Sequence, residues 1–190
     1  MTRARENLLH AAPAVGAAGG SHASVATRHE HRARSALYHS ALEVHLGSER
    51  WVIEMTPVRS GDVSSRGVVQ EGPVGSRMLG RSALFRYEVR CWRDGVIPDL
   101  AEAVGGPLLI GEEPFRACEL LGLVPQVPAL TWGRDELQAG EMWNSNSLSA
   151  WLLSQTGHDL STTCPPVGGR APGWRAGLAL SADQSGRPRG

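Results

Sequence analysis

Hydrophobic and polar positions alternate with a period of two along two neighbouring runs, L-Y-H-S-A-L-E-V-H-L at 37–46 and E-R-W-V-I-E-M-T-P at 49–57, separated by Gly47-Ser48. Alternation on both sides of a two-residue, Gly-first connection predicts a β-hairpin with a type II′ turn, in which Leu46 pairs with Glu49. A third alternating run, L-F-R-Y-E-V-R-C-W-R at 84–93, places Phe85, Tyr87, Val89 and Cys91 on one face and Arg86, Glu88 and Arg90 on the other. It predicts a half-buried strand ending at Asp94-Gly95. Residues 59–83 hold five Gly and one Pro, leaving room for one short strand at Gly67–Gln70.

The period then lengthens. Glu112-Glu113-Pro114 places acids and a proline where a first helical turn favours them, so a helix is expected through about Leu123, stopped by Pro125 and Pro128. A second helix is expected from near Asn144, with Leu148, Trp151 and Leu152 on one stripe and Gly157 as its end. The following C-P-P-V-G-G-R-A-P-G-W-R-A-G-L reads as irregular, anchored by Trp174. A strand hairpin, further strands and then helices predict an α+β fold, an antiparallel sheet with a His-bearing hairpin packed on helices.

With 190 residues, 41% of them hydrophobic, one domain is expected, at 35–178. Residues 1–34, poor in aliphatics and holding four histidines, and residues 179–190 read as tails without order. The 19 basic residues, all Arg, balance 19 acidic ones, so no overall field draws the chain to nucleic acid or to an anionic membrane. Three widely spaced cysteines and a flexible H-E-H at 29–31 give no disulfide framework and no metal site. No cofactor is expected, since the Gly-rich stretches lack the strand-loop-helix context of a phosphate loop. No apolar run reaches the ~18 residues of a membrane helix, and no signal-peptide core follows Met1, so a cytoplasmic protein is expected.

Two stretches carry candidate chemistry: H-S-A-L-E-V from His39 and N-S-N-S-L from Asn144. Together with W-V-I-E-M-T-P they resemble the motifs of the permuted papain-like superfamily: lecithin:retinol acyltransferase-like proteins, deSUMOylating-type peptidases and, more distantly, NlpC-type peptidases. The N-S-N-[ST]-[FL] form is similar to that of one bacterial family. The resemblance spans about residues 37–157. It implies a circularly permuted papain-like fold, a His on an early strand and a nucleophile at a late helix N-terminus. Ser145 stands where most relatives carry Cys, and Glu54 stands where a second His is usual.

Because a helix dipole cannot ionise a serine, Ser145 would need His39 as base and a carboxylate, Glu54, to orient it. The hairpin register places Glu54 opposite Ala41, on the face of His39. Backbone N–H groups of the late helix, with Asn144 or Asn146, would hold an oxyanion. The implied activity is hydrolysis or acyl transfer on a peptide, acyl or small-molecule substrate carrying an amide, thioester or ester. Two other readings stay open. One is an inactive relative that binds a peptide or acyl ligand. The other is a structural domain in which Ser145 is a helix cap, shared with Asn144 or Asn146, and His39 and Glu54 belong to a polar network.

Overall fold

The computed structural model describes residues 7–13, 36–58, 67–97, 107–161, 163 and 169–186. The strands are β1 (Asn7–Pro13), β2 (Ala36–Leu46), β3 (Glu49–Pro57), β4 (Val68–Pro73), β5 (Arg86–Arg93), β6 (Leu108–Gly111) and β7 (Gly169–Arg170). The helices are α1 (Pro114–Leu123), α2 (Ser145–Gln155) and α3 (Trp174–Ser185). The sheet runs β4-β5-β3-β2-β1-β6, every pair antiparallel, and β7 adds a short parallel pairing to the start of β2. The fold is α+β.

The hairpin forms in the expected register, Leu46 opposite Glu49 and Leu42 opposite Ile53, around a Gly47 with φ 79°. Strand pleating then sorts side chains between two layers. Leu42 and Val44 of β2, Ile53 and Met55 of β3, and Tyr87 and Val89 of β5 join Leu120, Leu148, Trp151 and Leu152 of the helices in one core. On the opposite face Ala41 and Val52 pack with Ile97 and Trp92. The division of β5 into Tyr87, Val89 and Cys91 against Glu88 and Arg90 follows the expected alternation. The strand itself begins at Arg86, because residues 83–85 form a single 3-10 turn.

Two segments depart from expectation. Asn7–Pro13, inside the stretch read as a tail, is a strand between β2 and β6. Its pairing with β2 follows from backbone donors and acceptors that any sequence carries, which a composition argument does not weigh. Trp174–Ser185, read as an irregular segment running into a tail, is the helix α3. Its Gly177, Ser181, Asp183 and Ser185 lower helix propensity, and packing restores what propensity lacks. Ala176, Gly177, Leu180 and Ser181 are buried in α3, and Trp151 of α2 donates from Nε1 to Gln184 Oε1 at 2.8 Å. The remaining tail residues, the H-E-H at 29–31 and Cys164 lie outside the described residues.

The α2–α3 contact is close. A Cβ on Gly177 would overlap the Ser147 carbonyl oxygen and crowd Ala150 Cβ and the Trp151 nitrogen, so only glycine lets the two backbones meet there. Gly122, within α1, has open space where its Cβ would stand. The two glycines should therefore respond to the same substitution with opposite signs. Gly122→Ala is expected to raise stability by ~0.5–1 kcal/mol through backbone entropy. Gly177→Ala is expected to lower it by ~1–3 kcal/mol through overpacking. Urea unfolding of both variants measures this, and a stabilised Gly177→Ala would mean that α3 does not sit tightly on α2.

Candidate functional site

The first turn of α2 is the best-connected polar region of the described chain. Asn144, with φ −164° and ψ −166°, is the N-cap: its Oδ1 accepts from the N–H groups of Asn146 at 2.9 Å and Ser147 at 3.3 Å. Ser147 Oγ in turn accepts from the Asn144 N–H at 3.0 Å, completing a reciprocal capping box. Ser145 is thus the first helical residue, not the cap. The opening turn has one Asn to satisfy its orphan donors, and that Asn precedes the serine.

The same residues reach outward. Asn144 Nδ2 donates to Pro172 O at 2.8 Å. Asn146 Nδ2 donates both to Pro172 O at 2.8 Å and to Tyr38 O of β2 at 2.9 Å. Ser147 Oγ donates to Gly173 O at 2.7 Å. Gly173, at φ 96°, precedes α3, and a Cβ there would overlap the Asn144 amide. One helical turn further on, Ser40 Oγ of β2 donates to Ser149 Oγ at 2.9 Å. Glu141 completes the connection, its Oε2 accepting from Gly173 N and Arg175 N at 2.9 Å each, across the start of α3. All five residues from Asn144 to Leu148 are buried.

The structure places the proposed catalytic residues in two different layers. Ser145 shares a helix stripe with Ser149, four residues on, and that stripe faces β2. The contact pins α2 to Tyr38 and Ser40, on either side of His39 in β2. Since Ser40 points to α2, the pleat turns His39 to the other face, with Ala41 and Glu43. Glu54 lies on that second face too, opposite Arg90. The β2–β3 ladder ends at Leu42↔Ile53, one step before the Ala41–Glu54 pair on which the diagonal approach of Glu54 to His39 relied. No hydrogen bond among the described residues joins Ser145 to His39 or to Glu54.

The second face is a charged layer. Glu43 Oε2 accepts from Arg50 Nη2 at 2.7 Å, and Glu43 Oε1 lies 2.6 Å from His45 Nε2. Arg90 donates from Nε to Glu88 Oε1 at 2.6 Å and lies over the Trp92 ring. Glu43, Glu54, Glu88 and Arg90 are all buried, and the ion pairs and hydrogen bonds around Glu43 and Glu88 offset the desolvation that burial imposes. Among the described residues no cluster of three or more His, Cys, Asp or Glu is arranged to hold a metal. Cys91, on the core side of β5, has its thiol pushed up to about 11 by burial, which leaves it a packing group and not a nucleophile.

The sequence reading missed the roles of Ser147, Ser149, Gly173 and Gly177. Two signals point to them. N-x-x-S at 144–147 is a polar variant of the capping-box spacing, and Gly173 and Gly177 stand four residues apart, as in helices whose backbones touch a neighbour. No family model, no curated protein and no solved structure matches the chain. The geometry predicts a clear order of sensitivities in thermal or urea unfolding. Asn144→Ala should cost ~1–3 kcal/mol, for the cap and the bond to Pro172. Ser145→Ala should stay within ~1 kcal/mol of wild type. The reverse order would make Ser145 the structural residue.

Proposed function

We propose that this chain is a non-catalytic domain of permuted papain-like architecture, in which N-S-N-S is a structural clamp and not an acyl-transfer site. The observation that carries this reading is the employment of the side chains that catalysis would need. Of the natural oxyanion helpers, Asn146 spends both side-chain N–H donors, on Tyr38 O and Pro172 O, and Asn144 spends one on Pro172 O. An oxyanion site needs those donors aimed at an open position that reacting atoms can reach. The intended base and its carboxylate stand on the other face of the sheet, within a charged layer of their own. A serine without a base in hydrogen-bond reach has no route to its alkoxide.

One observation favours the rival reading of a hydrolase or acyl-transfer enzyme. Asn144 takes the capping duty, which leaves the Ser145 hydroxyl at the positive end of α2 and over the strand segment that carries His39. An active form would require the His39 ring to pass the edge of β2 where β3 has diverged. The two readings separate on a thiol. In Ser145→Cys the helix dipole acts under both, but only an assembled site adds the His39 imidazolium. The clamp reading predicts that His39→Ala leaves the pKa of that thiol, followed by its rate of alkylation with iodoacetamide against pH, unchanged. It also predicts no labelling of wild-type Ser145 by a fluorophosphonate. A thiol whose pKa rises when His39 is removed would establish the enzyme reading instead.

A further inference from the structure

Between β4 and the first residue of β5 the chain runs V-G-S-R-M-L-G-R-S-A-L-F-R at 74–86, thirteen residues with three Arg and no acid in a chain whose charges cancel as a whole. Four large apolar side chains in this loop face solvent: Met78 at 85%, Leu79 at 46%, Leu84 at 89% and Phe85 at 42%. The backbone holds them there. Leu79 N donates to Ser76 O, Ser82 N to Leu79 O, Phe85 N to Ser82 O and Val74 N to Phe85 O, at 2.8–3.1 Å, forming two successive 3-10 turns across a closed base. Gly75 N donates to Trp132 O, and Arg134 Nε donates to Gly75 O, so the base is fixed to the neighbouring loop as well. A loop braced in this way cannot fold its own apolar groups inward.

We infer that this loop docks on an anionic lipid surface, with Met78, Leu79, Leu84 and Phe85 entering the interfacial region and Arg81 facing the headgroups. Arg77 is paired with Glu136 and Arg86 with Glu71, while Arg81, between the two apolar pairs, has no ion pair among the described residues. Apolar contact with an adjacent unneutralised cation is the combination that interfacial binding rewards. A second copy of this chain fits less well. A symmetric contact over the loop would set the unneutralised Arg81 of one copy against that of the other, with no acid from the loop between them. No helix of the described residues is long and apolar enough to cross a membrane, so the contact is peripheral. It does not depend on the role of Ser145.

The test is co-sedimentation of the full chain with vesicles, either pure phosphatidylcholine or equal parts phosphatidylcholine and phosphatidylglycerol. The chain should partition onto the mixed vesicles, much less onto the neutral ones, and less as salt is raised. Met78→Ser with Leu84→Ser should cut partitioning roughly tenfold or more. Arg81→Glu, which changes the local charge by two, should reduce it on the order of tenfold on mixed vesicles and little on neutral ones. All three positions are exposed, so an unchanged melting temperature certifies that these variants fold. The proposal is overturned by absent binding, by equal binding to both vesicle types, or by undiminished binding of the double variant. It is equally overturned if analytical ultracentrifugation shows a dimer that the double variant abolishes.

Discussion

The structure turns on one amide. Asn146 Nδ2 donates to Tyr38 O from the sheet and to Pro172 O from the turn before α3, so a single side chain ties strand β2, helix α2 and the entry of α3. Asn146 itself is 2% exposed. A buried carbonyl without its donor costs ~1–3 kcal/mol, comparable to a large part of a domain's margin. The glycines at 173 and 177 belong to the same constraint. They remove the Cβ atoms that would hold α3 away from Asn144 and from the Ser147 carbonyl. Asn144, Ser147 and Glu141 then satisfy the donors and acceptors that the approach would otherwise strand.

That constraint explains why polar residues crowd one helix end. Asn144 Nδ2, Asn146 Nδ2 and Ser147 Oγ have their acceptors in backbone carbonyls outside the helix. The charged residues of the sheet are likewise employed on the far face, where Glu43 is held by Arg50 and Glu88 by Arg90. Buried polar groups of this kind define a unique packing when they are satisfied. A helix N-terminus that must be capped, buried and held to a strand calls for the same residue types as a nucleophile motif. Catalysis adds a base at hydrogen-bond distance, and that distance is a property of tertiary structure which short motifs do not encode.

Periodicity was informative wherever one face of an element is buried. The hairpin register, the two faces of β5, the α1 helix starting at Pro114 and the start of α2 at Asn144-Ser145 all follow from alternation, proline placement and capping chemistry. Two elements escaped. β1 is recorded in backbone pairing and not in composition, and α3 is stabilised by burying small residues against α2. At the site, the sequence singled out Asn144, Ser145 and Asn146 and left open which of them caps the helix, a duty that falls to Asn144. Which of several adjacent polar residues caps a helix depends on φ/ψ at one position. Which face a strand histidine takes depends on whether its neighbour Ser40 meets the helix.

Asn146→Asp sets the relevant forces directly against each other. An acid in the first turn of a helix is favoured by the macrodipole, by ~0.3–1 kcal/mol. The same change removes the side-chain donor to Tyr38 O and one of two to Pro172 O, which keeps Asn144 Nδ2, and places a carboxylate among carbonyl oxygens. If the amide is the tie that holds sheet, α2 and α3 together, the second effect wins, and equilibrium urea unfolding near neutral pH should show a net loss of ~2–4 kcal/mol. Stability of the Asn146→Asp variant equal to or above that of the wild type would contradict the account, and would return Asn146 to the role of an oxyanion helper free to face a substrate.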